Sequence, residues 1–244
     1  MANWSDPRTT LGASAARTGA RDVAYDAGLR SYMLSVYNYM ASGVLLTGIV
    51  ALLFAQSGMA AQVFLNGGIL AWVVMLAPLG LVMWLSFGIN RISEGTAKAI
   101  YWGYAVLMGL SLSTILLVYT GASVAQTFFA SAAAFGGLSL WGYTTKKDLS
   151  GFGTFLIMGL VGLIVASVIN MFMHSSGLDL VISIIGVLLF AGLTAYDTQK
   201  IKSMYFVVGG SSLAGKSVVM GALTLYLDFI NLFLFLLRFM GDRR

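Results

Sequence analysis

Two aspartates lie inside long apolar stretches near the C-terminal end of the chain: Asp197 follows Leu193-Thr-Ala-Tyr, and Asp228 lies within Leu223-Thr-Leu-Tyr-Leu-Asp-Phe-Ile-Asn231. An aspartate at the centre of a membrane helix costs about 2.5 to 3.5 kcal/mol on insertion scales, so two of them require a reason. Two carboxyl groups in contact at low dielectric share one proton, because two adjacent negative charges are unfavourable. The two residues are therefore predicted to form a proton-sharing, pH-sensitive pair.

The segment around Asp228 carries a stripe of small and polar residues on one helical face. Its members recur at steps of three and four residues: Ser217, Gly221, Thr224, Asp228 and Asn231. Lipid would leave these polar groups unsatisfied, so the stripe should face other helices. The last helix is therefore predicted to be central, with Thr224 and Asn231 supporting the aspartate pair.

Contact between the two aspartates depends on their depths. Asp197 precedes Lys200 by three residues, whereas Asp228 follows Lys216 by twelve, which is about 18 Å along a helix. If these lysines mark the membrane boundary, the carboxyl groups meet only when the last helix begins late or tilts. We expect the two carboxyl groups to be in contact.

The composition places these residues in a membrane protein. Of 244 residues, 59% are hydrophobic and 9% are charged, whereas soluble domains carry about 25% charged residues. The absence of cysteine and the single histidine, His174, exclude thiolate sites and make metal hydrolase chemistry improbable. The basic residues form no continuous patch for nucleic acid. We therefore expect no cofactor, no nucleic acid partner and no enzymatic activity.

Seven apolar stretches are long enough to cross a hydrocarbon core of about 30 Å as helices. The breaks between them are short, which predicts one antiparallel bundle in residues 31–244 after a flexible polar tail in residues 1–30. The fold class is therefore predicted to be all-α, a polytopic seven-transmembrane-helix bundle. The predicted spans are Ser35 to Leu53, Ile69 to Ile89, Ala97 to Tyr119, Val124 to Tyr143, Phe152 to Met173, Leu178 to Tyr196 and Val218 to Met240.

The basic residues predict the orientation of this bundle. Eleven of fourteen fall on the side of the N-terminus, which should be cytoplasmic: Arg8, Arg17, Arg21, Arg30, Arg91, Lys98, Lys146, Lys147, Lys200, Lys202 and Lys216. The other three, Arg238, Arg243 and Arg244, lie opposite if the last segment crosses fully. A re-entrant last helix is the alternative.

The chain resembles the Bax-inhibitor family of membrane proteins, also called the transmembrane Bax inhibitor motif family. The resemblance is strongest over Lys146 to Gly241 and is carried by three motifs: Lys146-Lys-Asp-Leu-Ser150, Tyr196-Asp197 with Gln199-Lys-Ile-Lys202, and Leu223 to Asn231 continuing to Leu237-Arg-Phe239.

The resemblance implies an aspartate pair at Asp197 and Asp228 and a pH-sensitive calcium leak. It also implies links to cell-death suppression or, in bacteria, to the regulation of membrane proteolysis. A family arginine that can latch onto the pair has its nearest match in Arg91. The implied location is a bacterial inner membrane.

Four functions are compatible with these residues. The first is a cation leak gated by the pair, with calcium and protons as its ions and Asp197 and Asp228 as transient calcium ligands. The second, weaker one is an intramembrane aspartyl protease, although Leu225-Tyr-Leu227 stands where such enzymes have Gly-x-Gly before the aspartate. The third is an interaction protein that restrains another membrane component. A proton-coupled transporter also remains possible.

Overall fold

The computed structural model describes residues 7–89 and 91–244, with side chains from Ala27 onward. Seven helices in this part are long and apolar enough to cross a membrane, and one helix is short. The helices are α1 (Pro7–Gln56), α2 (Met59–Leu65), α3 (Ile69–Gly88), α4 (Glu94–Val118), α5 (Gly121–Thr144), α6 (Ser150–Met173), α7 (Ser176–Val208) and α8 (Ala214–Met240). The prediction of an all-α, seven-span membrane protein is confirmed.

Side-chain caps begin three of the long helices. The hydroxyl oxygens of Ser93, Thr120 and Ser175 accept hydrogen bonds from the backbone N–H three residues on, at the starts of α4, α5 and α7. These bonds satisfy N–H groups that have no partner within the helix. Short polar breaks in the sequence therefore act as helix starts, which keeps the connections short and the helices antiparallel.

Several boundaries differ from the predictions. Helix α1 begins at Pro7 and not at Ser35. Helix α7 runs twelve residues beyond Tyr196, because Lys200 and Lys202 lie on the helix and do not end it. The short helix α2 fills the break after Gln56. Most side chains of the predicted tail, residues 1–30, lie outside the described residues, so the tail stays a prediction.

Helix α8 is the centre of the bundle. It packs against α1, α4, α5 and α7, and 61% of its apolar window is buried, compared with 17% for α3 and for α6. Large side chains such as Tyr226, Leu225 and Leu232 are fully enclosed. The prediction of a central last helix agrees with this packing.

The C-terminus lies at the end of the bundle opposite the start of α8. The backbone N–H of Arg244 donates to the carbonyl oxygen of Val118, and that of Thr120 donates to the carbonyl oxygen of Asp242. The N–H of Asp242 donates to the hydroxyl of Ser123. These bonds hold the C-terminus against the turn between α4 and α5, so the last helix crosses the bundle fully.

Candidate functional site

The carboxyl groups of Asp197 on α7 and Asp228 on α8 lie close enough to interact directly. Both side chains are buried, with 9% of Asp197 and 4% of Asp228 exposed. The Oδ2 atom of Asp228 is enclosed and has no hydrogen-bond partner in the described part of the chain. Because an ionised carboxylate only accepts hydrogen bonds, a bond between two carboxyl groups requires a proton on one of them. The arrangement suits a shared proton.

The length of α7 explains why the two aspartates meet. Asp197 lies eleven residues before Val208, where α7 ends, and Asp228 lies fourteen residues after Ala214, where α8 begins. These separations are about 17 Å and 21 Å along the two axes. The sequence predicted different depths for the two aspartates because Lys200 and Lys202 were taken as the end of α7. The difference in depth becomes small because α7 extends past these lysines.

The antiparallel register of α7 and α8 is fixed along its length by close contacts. A Cβ at Gly186 would meet the ring of Phe235, and one at Gly221 would lie 3.2 Å from a methyl group of Ile201. At the far end, Arg238 forms an ion pair with Asp179. Small residues on each helix thus allow α7 and α8 to pack closely, and this packing keeps the two aspartates at the same depth along the bundle.

A cavity of about 750 Å³ lies beside the pair, between α6 and α8. Asp197, Asp228, Thr224 and Asn231 all line it, so the polar face predicted from the sequence borders one space. The other lining residues are Ile157, Leu160, Leu163, Ile164, Ser167, Val168, Met171, Phe190, Leu193, Tyr196, Lys200, Leu227 and Phe235. The cavity therefore combines two carboxyl groups with a largely apolar wall.

The two supporting polar side chains bond to their own helix. The hydroxyl of Thr224 donates to the carbonyl oxygen of Met220, and the amide nitrogen of Asn231 donates to that of Leu227. Neither of these hydrogen bonds crosses to another helix. Both residues line the cavity, and hydroxyl and amide oxygens are ligands that a hard cation accepts.

Lys200 is a charged cavity residue that the sequence analysis assigned to the membrane boundary. It lines the cavity, and its positive charge acts on Asp197. Its ammonium also lies 5.9 Å from the ring centre of Tyr196. The signal in the sequence was the three-residue spacing from Asp197, which puts both side chains on one helical face. Lys202 instead donates to the carbonyl oxygen of Tyr143.

Arg91 lies apart from the aspartate pair. It follows α3, is exposed, and borders a separate depression beside Trp84 and Phe87. In the part of the chain that the structure describes, helix α3 packs mainly on α4 and makes no comparable contact with α7 or α8, so Arg91 at its end lies away from the aspartates. The latch that the resemblance implies is not formed here, and its role stays a prediction.

The site has too few ligands for a tightly bound metal ion. Among residues with described side chains, no group of three or more histidine, cysteine, aspartate or glutamate residues could hold a metal. Calcium usually takes six to eight oxygen ligands. The two aspartates could therefore coordinate calcium only with help from water and from neighbouring oxygens such as those of Thr224 and Asn231.

Hydroxyl groups fix α7 close to the aspartate. The hydroxyls of Tyr37 and Ser139 lie 2.9 Å apart, and those of Ser139 and Thr198 lie 2.8 Å apart. Thr198 in turn donates to the carbonyl oxygen of Thr194. This chain of hydrogen bonds joins α1, α5 and α7 at the residue that follows Asp197, so the backbone beside the carboxyl group is held by two other helices.

The loop between α5 and α6 is bound to α7 next to the site. The amide of Gln199 donates to the carbonyl oxygen of Lys147 and accepts from the backbone N–H of Leu149. In the same loop, hydrogen bonds from Ser150 hold the pKa of the Asp148 carboxyl below its ordinary value. These contacts hold the segment Lys146 to Ser150 against α7 just before α6 begins.

Comparisons with known proteins give matches over nearly the whole chain. Residues 29–244 match the family described as "Inhibitor of apoptosis-promoting Bax1". An uncharacterised protein of Rickettsia prowazekii is 47% identical over 93% of this chain and 96% of its own length. An uncharacterised protein of Caulobacter vibrioides is 48% identical over 91% of this chain and 93% of its own length. The inner membrane protein YbhL of Escherichia coli is 46% identical over 89% of this chain and 94% of its own.

Proposed function

The chain belongs to the Bax-inhibitor family and is a multi-pass integral membrane protein, and we propose that it forms a pH-sensitive leak pathway for cations, calcium in particular. The gate in this proposal is the protonation state of Asp197 and Asp228. The observation that carries it is the placement of these two buried carboxyl groups together at the edge of one cavity, one on α7 and the other on the central helix α8.

The chemistry of the pair supports a gate. One shared proton lets the two carboxyl groups bind each other and hold α7 against α8. Removing it sets two negative charges in contact, and adding a second proton leaves no negative charge to attract a cation. Each change alters both the helix contact and the affinity for a hard cation. The proposal therefore requires a cation flux that varies with pH.

The orientation belongs to the same proposal. The loops and helix ends on the N-terminal side carry Arg30, Lys146, Lys147 and Lys216, and short loops rich in lysine and arginine stay in the cytoplasm. We place the N-terminus in the cytoplasm and the protein in a bacterial inner membrane, because the relative YbhL is an inner membrane protein.

Calcium flux through liposomes containing the purified full-length protein tests the gate. We expect wild-type flux to change between acidic and alkaline buffers, and the double variant Asp197→Asn, Asp228→Asn to lose most of that pH dependence. Asparagine has nearly the size of aspartate and keeps hydrogen-bonding atoms, but it does not titrate. The matched control is Asp148→Asn in the exposed loop. A double variant with unaltered flux and pH profile would refute the gate.

A second candidate is an interaction protein that restrains another membrane protein, and the family's description as an inhibitor favours it. The same liposomes separate the two functions. A purified protein that moves no cation at any pH, but that co-purifies with a membrane protein from native membranes, supports restraint. Cleavage of a model transmembrane substrate, lost in Asp228→Asn, would instead support an aspartyl protease.

A further inference from the structure

The cavity beside the aspartates opens sideways from the bundle. Helix α6 packs on α7 and makes no comparable contact with another helix in the described part of the chain. Its cavity-lining residues Ile157 and Ile164 are 54% and 56% exposed, whereas the aspartates at the back of the cavity are buried. In a bilayer, this open side faces hydrocarbon.

The lining of the cavity determines what can fill it. Ten of its seventeen residues are apolar, and they cover the α6 side and the end near Phe235. The apolar part of the wall offers water no hydrogen-bond partners, and close packing disfavours leaving such a volume empty next to lipid. An acyl chain has the shape and the chemistry to occupy this apolar part.

One cation, Lys200, marks the end of the cavity nearer the N-terminal side. Its ammonium has no hydrogen-bond partner among the described residues, whereas Lys202 donates to a backbone carbonyl and Lys98 is ion-paired with Glu94. An ammonium has three N–H donors. Lys200 can therefore act on Asp197 and still bind a phosphate group, since basic residues between membrane helices bind anionic headgroups.

We infer that this cavity binds one anionic phospholipid of the leaflet on the N-terminal side, with its phosphate on Lys200 and one acyl chain along α6. The acyl chain of this lipid then covers Asp197 and Asp228 and excludes water from them. The binding does not depend on ion conduction. The effect of the bound lipid on activity rests on the proposed function: the lipid blocks the cation leak for as long as the lipid occupies the cavity.

Native mass spectrometry of the full-length protein, purified with phosphatidylglycerol and phosphatidylethanolamine in equal amounts, tests the binding. We expect one retained phosphatidylglycerol, preferred about fivefold over the neutral lipid, which is the contribution of one lysine near a charged membrane surface. Lys200→Gln should abolish this preference. Lys146→Gln, which makes the same charge change in an exposed loop, should preserve it. Equal retention of both lipids by the wild type, or an unchanged preference in Lys200→Gln, overturns the inference.

A second pair of variants tests the acyl chain. Ile164→Trp places a large side chain inside the cavity, while Val165→Trp places it on the neighbouring face of α6, outside the lining. We expect lipid retention to fall in Ile164→Trp and to persist in Val165→Trp. Equal retention in the two variants contradicts the cavity as the site. This measurement needs no ion flux, so lipid binding and the leak can fail separately.

Discussion

Tyr226 lies at the centre of the packing between α1, α4 and α8, and its hydroxyl depends on one threonine. Thr47 on α1 donates to the carbonyl oxygen of Ala105. Its oxygen also lies 2.7 Å from the Tyr226 hydroxyl, which must therefore donate to it. The rings of Tyr101 and Tyr104 pack edge-on against Tyr226. The hydroxyl of Thr47 thus satisfies the hydroxyl of a fully buried tyrosine.

Thr47→Val should destabilise the protein by leaving the Tyr226 hydroxyl without an acceptor. Hydrogen bonds between membrane helices contribute about 0.6 kcal/mol on average and up to about 1.7 kcal/mol. The free energy of unfolding in a detergent titration measures the loss. Thr114→Val is the control, because Thr114 bonds only to the backbone of its own helix. Thr47→Val combined with Tyr226→Phe should recover part of the loss, and no recovery would contradict this account.

The sequence was enough to identify some of the important residues but not others, and the reasons are physical. Asp197 and Asp228 were identifiable because a carboxyl group in an apolar stretch is costly whatever its neighbours are. Thr47 was not, because a threonine in a membrane helix can bond to its own backbone, and only the packing shows that it also serves Tyr226. Lys200 was assigned to the boundary since lysine is typical there.

At the scale of elements, the approach of α5 to α7 depends on one glycine. A Cβ at Gly142 would lie 2.3 Å from the carbonyl oxygen of Ala195, which is backbone and cannot move aside. The buried face of α5 consists otherwise mainly of small hydroxyl residues, such as Ser131 and Ser139. Small side chains allow two membrane helices to pack closely, and here they hold the part of α7 that carries Asp197.

Gly142→Ala should therefore push α5 and α7 apart. We expect a loss of about 1 to 3 kcal/mol, the usual cost of an oversized group in a packed interior. Gly137→Ala is the matched control on the same helix, since nothing lies within 4 Å of its added Cβ; it should stabilise slightly through helix propensity. The free energy of unfolding in a detergent titration is compared for the two variants. Equal losses would show that the close contact between Gly142 and Ala195 is not needed for stability.

Helix bounds could be predicted where the apolar length alone decides them, as for α3 and α6. The end of α7 could not. A lysine can extend its charged end to the membrane surface from within a helix, so Lys200 and Lys202 do not mark where the helix stops. The short α2 was missed because seven residues carry too little periodicity to distinguish a helix from a loop.

For the whole molecule, the sequence predicted that the last helix lies at the centre of the bundle, but it did not predict which helices pack around it. The polar stripe on α8 required contact with other helices, and α8 is indeed the most buried span. Which helices surround it does not follow from their order along the chain. Arg91 shows the difference: its helix, α3, packs on α4, so proximity to the aspartates could not be deduced from length and hydropathy.

The odd number of crossings predicts that the chain ends lie on opposite sides of the membrane. The protein has no cysteine, so single-cysteine variants carry one reactive thiol each. Lys146→Cys lies in the loop between α5 and α6, on the N-terminal side, and Arg244→Cys lies at the C-terminus beside the α4–α5 turn. In intact cells we expect a membrane-impermeant maleimide to label Arg244→Cys and to spare Lys146→Cys, because short basic loops stay in the cytoplasm.

Permeabilised cells supply the control, since both thiols should then react. Labelling of Lys146→Cys but not Arg244→Cys in intact cells would reverse the orientation while keeping seven crossings. Equal protection of both would contradict the fold itself, because it would require α8 to return to the side on which it began. The ion pair between Arg238 and Asp179, together with the backbone bonds of the last residues, argues for a full crossing: each joins the end of α8 to elements at the far side of the bundle.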